Sequence, residues 1–266
     1  MTNSFTPARI GLGLFKVPAE STQALVEDAL DVGYRHFDCA SNYGNEAQLG
    51  AALSNSGLDR SNFTVTSKAW IDELGPTGIQ DALKRSLDRL GLDSVDIYMI
   101  HWPAPERDLY VASFQEMLLL RQDGLIKNVG VSNFHIDYLE RLRQEIGSLP
   151  VINQVERHPY LQQQELFTYH SKHGIASQAW GPLARAEVFA DSRLASLAER
   201  VGASIAQLVL AWQLSSAVSV IPKASSRKRL EENLTSADLV LPEDVLKELN
   251  GFDRDYRTGP NPADKN

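Results

Sequence analysis

Cysteine is nearly absent from this chain, and positive charge is in deficit. A single cysteine, Cys39, stands among 266 residues. It can close no disulfide within the chain, and no CxxC pair exists to start a zinc site. A formal net charge of -8 argues against nucleic acid or an anionic membrane as the main partner, since both demand a basic surface. No apolar run approaches the ~20 residues that span a bilayer as a helix. The opening MTNSFTPARI lacks the basic and apolar regions of a secretory leader. A cytoplasmic protein in a reducing compartment is expected. The GxGxxG fingerprint of open dinucleotide-binding sheets is also missing, because Lys16 stands where Gly11 and Gly13 would need a third glycine. There is no P-loop, and no low-complexity linker or shift in composition divides the chain.

What is present is a repeated unit. Apolar residues at helical spacing run to a glycine, and a short apolar, β-branched run begins just after it. Leu25, Val26, Ala29 and Leu30 lead to Gly33 and YRHFD; Leu83, Leu87 and Leu90 lead to Gly91 and SVDIYMIH. The pattern recurs before IKNVGVSN, VINQVE and IASQAW. Glycine suits the left-handed residue that stops a helix. The strands are mostly apolar instead of strictly alternating, which predicts burial on both faces and parallel pairing through helical crossovers. With RIGLGLFK, NFTVTSK and VSVIPK the count reaches about eight, that of a closed (β/α)8 barrel. One domain over residues 1–266 is expected, its polar tail DRDYRTGPNPADKN lying on the surface.

In such a barrel the loops at the C-terminal strand ends converge on one mouth. Those ends carry Phe15, Asp38, Lys68, His101 with Trp102, Ser132 with Asn133, Gln154 with Glu156, Trp180 and Lys223. Tyr43 follows closely on Asp38 in FDCASNYGNE. A phenol ionises near ~10, too high for a good acid at neutral pH. Lys68 is expected to lower it, with Asp38 holding the ammonium charged and in place. His101 can donate to a carbonyl oxygen. The set suits protonation of an oxygen turning alkoxide-like, as when hydride from a nicotinamide adds to a carbonyl. Trp180 offers such a ring a flat apolar face, and Ser132, Asn133 and Gln154 offer hydrogen bonds to its carboxamide. Blander roles are assigned to others. Asn45 with Gln48 reads as a capping box and Glu46 as a helix-start residue. Cys39 reads as packed, and His170 with His173 as packing or surface rather than metal ligands.

The ordered motifs FDCASNYGNEAQLGAAL, TSKAW, DIYMIHWP, GVSNF, INQVERHPY, AWGPL and IPKASSRKRLEEN, between Gly11 and Asn233, resemble the successive signatures of the aldo-keto reductase family. The resemblance covers nearly the whole chain. It implies a catalytic tetrad of Asp38, Tyr43, Lys68 and His101, with Tyr43 as proton donor. It also implies a nicotinamide stacked on Trp180 beside Gly181, Pro182 and Leu183, its carboxamide held by Ser132, Asn133 and Gln154. Lys223 and Arg229 fall where the family binds the 2′-phosphate of NADP, and Glu232 and Asn233 where it meets adenine, so NADPH is expected over NADH. Ala224 replaces a serine that touches that phosphate in many members; Ser225, Ser226 or Arg227 can compensate.

Phe15, Trp70, His101 and Trp102 are expected to line the substrate pocket. The chain lacks the long C-terminal loop of larger members, which implies an open pocket. It is most similar to short bacterial members that reduce 2,5-diketo-D-gluconate, methylglyoxal and other small carbonyls. The resemblance favours a monomer. Two other readings stay open: a cofactor-binding regulatory protein with little turnover, and a lyase forming a Schiff base at Lys68.

Overall fold

Eight strands form where the apolar runs place them. The computed structural model describes residues 5–266; the first four, part of the stretch read for a leader, lie outside the described residues. Strand and helix alternate through β1 (Leu12–Gly13), α1 (Ala19–Val32), β2 (His36–Asp38), α2 (Glu46–Asn55), β3 (Thr64–Ala69), α3 (Pro76–Leu90) and β4 (Val95–Ile100). They continue through α4 (Tyr110–Gln122), β5 (Ile126–Ser132), α5 (Ile136–Ile146), β6 (Ile152–Glu156), α6 (Gln164–His173) and β7 (Ala176–Trp180). Two helices, α7 (Ser192–Arg200) and α8 (Ile205–Ser215), precede β8 (Val218–Val220), and α9 (Arg227–Thr235) and α10 (Glu243–Asn250) follow it. Helices stop at glycine as expected, for example at Gly91 (φ 63°) and Gly147 (φ 73°), whose left-handed backbone an L side chain adopts only with strain.

The strands pair in parallel in sequence order, β1 to β8. A parallel bridge between Ile10 and Val220 joins the two edges. Gly11 N donates to Val220 O at 2.9 Å and Gly13 N to Pro222 O at 3.2 Å, so the sheet curls shut into a (β/α)8 barrel. Gly13 permits that seam. A Cβ there would sit 2.6 Å from Ile221 O.

The barrel interior is graded along its axis. Residues two apart on a strand share a face, and at the closed end the inward face holds Ile97, Met99 and Ile152, packed with Phe5. Towards the other end the interior turns polar: Gln154, two residues past Ile152 on β6, is level with Gln178 on β7. The large apolar core lies outside the barrel, between strands and helices. That grading decides where chemistry can occur.

Buried His170 is paired at both ring nitrogens. Asn153 Nδ2 donates to its Nε2 at 3.0 Å and its Nδ1 lies 2.9 Å from Ser177 Oγ. The ring therefore packs between α6 and the sheet, and burial pushes its pKa down to about 4. In the unfolded chain an imidazole charges near ~6.5. Below that pH the unfolded state binds a proton that the folded state refuses, so stability is lost as pH falls from 6.5 towards 4. In urea titrations, His170→Gln is expected to remove about 2 kcal/mol of the stability loss between pH 7 and pH 5. An unchanged pH dependence would remove His170 from this role.

Candidate active site

Asp38 ends β2, and Lys68 lies one residue before the end of β3, two neighbouring strands whose C-terminal ends open on the polar end of the barrel. Lys68 is completely buried, and its Nζ donates to Asp38 Oδ1 at 2.5 Å and to Cys39 O at 2.8 Å. Burial alone would lower the lysine's pKa, but attraction to Asp38 reverses the effect and the pKa is raised. The ammonium stays charged. The second carboxylate oxygen of Asp38 accepts from Gln154 Nε2 at 2.7 Å, and the same nitrogen donates to Gln178 Oε1 at 2.7 Å. Both amide hydrogens of Gln154 are thus committed, so its Oε1 is the atom left to meet a ligand. Sequence reading did not single out Gln178; a buried amide in β7 level with Gln154 was the available clue.

Tyr43 arrives on a single 3-10 turn, Ser41–Tyr43, after β2. Its ring centroid lies 5.2 Å from Lys68 Nζ and 5.6 Å from the His101 ring, which it meets edge-on. The expectation of a lowered phenol pKa is overturned. Burial pushes Tyr43 up to about 12, and the opposing pull of Lys68 recovers only part of the shift. His101 is held well below the usual imidazole range, by burial first and then by Lys68, so it is neutral at pH 7. Its Nδ1 is buried without a partner among the described residues, which leaves Nε2 to face a ligand.

The loop carrying Tyr43 is fixed differently from the expected capping box. Asn45 makes no cap bond; its Nδ2 donates to Leu14 O and Val17 O at 3.0 and 3.2 Å, tying the turn to the end of β1. Glu46 is buried and accepts from Ser67 Oγ at 2.6 Å and Arg89 Nε at 2.7 Å. Cys39 is buried and packed.

These groups floor a cleft of about 770 Å³, within the usual range for small-ligand sites. Phe15, Trp70, Trp102 and His101 wall one side, with Trp70 edge-on to His101 at 5.0 Å. Trp180 also lines the cleft, its Nε1 donating to Asn133 Oδ1 at 2.8 Å. Asn133, in left-handed backbone at φ 64°, also donates from Nδ2 to His101 O and Ser132 Oγ, while Ser132 Oγ donates to Gln154 O. Ser132, Asn133 and Gln154 all line the cleft. It continues past Gly181, Pro182 and Leu183 to Lys223, Ala224, Ser225, Arg229, Glu232 and Asn233.

At that far end two expected residues are placed otherwise. Ser226 is outside the lining and caps α9, its Oγ accepting from Arg229 N at 3.4 Å. Arg227 faces α1, paired with Asp28 and Asp31. Ser225 remains, 3.1 Å from Arg229 Nη1. Lys223 Nζ donates to Lys16 O at 2.5 Å. The tail is not merely a surface segment, since Pro260 and Lys265 line the cleft and Pro262 is buried. Lys16 also lines it from the loop after β1, and Arg185 and Phe189 from the 3-10 segment Ala184–Ala190.

Residues 9–254 match the Aldo/keto reductase family. The chain belongs to that family. An aldo-keto reductase of Mycobacterium sp. (strain KMS) is 40% identical over 254 residues, 96% of this chain and 92% of that protein. Methylglyoxal reductase DkgA of Escherichia coli is 40% identical over 256 residues, 96% of this chain and 92% of its own. Among solved structures, a mutant of Gox0644 in complex with NADPH superposes with a TM-score of 0.92 at 36% identity, covering 96% of this chain and 93% of the other. The family expected from the motifs and the barrel expected from the repeated strand and helix units are both found. This aldo/keto reductase is an oxidoreductase, and the cleft is its candidate site.

The raised phenol pKa is measurable without any ligand. In an ultraviolet pH titration, the difference between the protein and Tyr43→Phe is expected to show no phenolate absorbance until above pH 11, following a pKa of about 12. A difference spectrum appearing near the ordinary value of about 10 would contradict the burial argument.

Proposed function

We propose that this aldo/keto reductase reduces small aldehydes and ketones, methylglyoxal-like dicarbonyls among them, with NADPH as hydride source and Tyr43 as proton donor. One observation carries the proposal: Tyr43 and His101 meet at the floor of an apolar cleft, directly against the buried Lys68–Asp38 pair. The residues present fit the cofactor. Trp180 offers an aromatic face, Gln154 an outward acceptor and Ser132 with Asn133 further polar atoms for a nicotinamide carboxamide, while Lys223 and Arg229 offer cations for a phosphate. NADPH, when bound, supplies the hydride to the carbonyl carbon.

The chain's own residues then handle the oxygen. Neutral His101 donates a hydrogen bond from Nε2 to the carbonyl and orients it. As the carbon gains hydride, the oxygen becomes alkoxide-like and takes the hydroxyl proton of Tyr43, leaving an alcohol and a phenolate. A pKa of about 12 keeps that proton on the phenol in the resting site. An alkoxide is a stronger base than a phenolate, so transfer still runs downhill. Lys68 stabilises the phenolate left behind. Two of its three N–H groups are committed to Asp38 and Cys39, and the third can face Tyr43. The Schiff-base alternative needs a neutral amine, which the 2.5 Å contact with Asp38 opposes.

Support for the substrate class comes from the aromatic wall of Phe15, Trp70 and Trp102 and from the methylglyoxal reductases among the relatives. Support for NADPH over NADH comes from Lys223, Arg229 and the Ser225 hydroxyl beside Arg229.

The first experiment is NADPH oxidation, followed at the nicotinamide absorbance, with methylglyoxal, other aldehydes and keto-sugars. Tyr43→Phe is expected to lower kcat by about 10²- to 10⁴-fold with NADPH affinity retained, and Lys68→Met to be comparably damaging; unchanged turnover in Tyr43→Phe would exclude it as the acid. Arg229→Ala is expected to weaken NADPH by about 10- to 100-fold, the worth of a charge-assisted hydrogen bond, and NADH far less. An equal loss for both would reject the phosphate assignment. Tight NADPH binding without turnover on any carbonyl would favour a regulatory protein.

A further inference from the structure

Glu156 ends β6 with a fully buried carboxylate that no lysine or arginine pairs among the described residues. Its partners come from the C-terminal tail. Thr258 donates to Oε1 from its backbone N at 2.7 Å and from its Oγ1 at 2.5 Å. Gly259 N lies 3.1 Å from Oε1 and 3.2 Å from Oε2, and His158 Nε2 approaches Oε1 at 3.1 Å. The backbone of the same residue is tied to the tail as well. Gln163 Nε2 donates to Glu156 O at 2.5 Å while Gln163 Oε1 accepts from Arg257 Nη2 at 3.4 Å.

This anchorage brings the tail backbone against Trp180. A Cβ on Gly259 would lie 2.4 Å from Cη2 and 3.3 Å from Cζ3 of the indole, so only glycine allows the approach. At its other end the indole donates from Nε1 to Asn133 Oδ1. The ring is thereby held at both ends. Beyond Gly259 the tail crosses the mouth. Pro260 lines the cleft, Lys265 Nζ stands 5.5 Å from the Trp70 ring, and Asn266 Oδ1 accepts from Glu106 N on the far side.

We infer that Glu156 is a positioning residue: its carboxylate holds Thr258 and Gly259 so that the tail backbone fixes the plane of Trp180, and through it the face offered to the nicotinamide. The last clause rests on the function proposed above. The carboxylate is suited to the task because it can accept all these donors at once, and no neutral acceptor at this position does so. Glu156 never touches substrate in this arrangement. It acts through Gly259 on the ring.

The test separates the latch from the cofactor reading. The full chain, labelled with 5-fluorotryptophan and free of cofactor, gives fluorine resonances assignable through Trp180→Phe and Trp212→Phe. Trp212 is held elsewhere, by Asn250 Oδ1, and serves as the internal reference. In Glu156→Gln and in Gly259→Ala the Trp180 resonance is expected to shift or broaden while that of Trp212 stays in place, and Thr258→Ser, which keeps the hydroxyl, is expected to match the unmodified protein. NADPH affinity is expected to fall about tenfold in the first two variants. A Trp180 resonance that does not move, or that moves only together with Trp212, overturns the inference. If Trp180 moves and NADPH affinity is unchanged, the latch is supported, and the nicotinamide-stacking reading is what fails.

Discussion

The buried pair of Lys68 and Asp38 is the constraint around which the polar end of the barrel is organised. Two charges without solvent are costly unless every remaining hydrogen-bonding atom is satisfied. That requirement spreads outward. Asp38 takes Gln154, Gln154 takes Gln178, and Lys68 takes the Cys39 carbonyl. Four strands are thereby committed to one polar chain, and the residue types on their inward faces follow from it. The same charges act on their neighbours through a medium of low dielectric, where they count for more than in water. His101 is driven neutral partly by Lys68.

The fold was legible because its determinants are local. Glycine stops at Gly33, Gly91, Gly147 and Gly174, and apolar runs too continuous for a half-exposed sheet, declare the strand–helix alternation wherever they stand in the chain. The strand ends were legible for the same reason: Asp38, Lys68, His101, Gln154 and Trp180 sit where each run stops, and topology alone brings them to one mouth. What the sequence could not show depends on how much solvent each group loses. The position of Tyr43 was readable, but its pKa direction was not, because burial outweighs the cation beside it. Side-chain hydrogen bonds failed similarly. Asn45 and Ser226 have the same capping chemistry, yet Ser226 caps and Asn45 reaches across to the end of β1, a distinction set by a loop 28 to 31 residues away.

The tail was the largest omission. DRDYRTGPNPADKN has the composition of a solvated segment, and its place against Trp180 comes from one acid 102 residues earlier in the chain. Composition reports what a segment can bury of its own. It does not report what another element has left uncovered for it. Glu156 was visible as a strand-end residue, but a carboxylate waiting for backbone donors looks in sequence like any other acid.

The seam between β1 and β8 carries an entropic cost. Closing it joins Ile10 to Val220, and the contact of Lys223 with Lys16 spans 207 residues. Every other strand pairs with its neighbour in sequence, across a single intervening crossover. Contacts between distant residues demand the greatest loss of loop entropy before any of it is recovered. The seam is therefore the strand pairing whose closure costs the most loop entropy, and it is this closure that brings together the β1 and β8 edges of the cleft, with Gly13 on one side and Ile221 and Lys223 on the other.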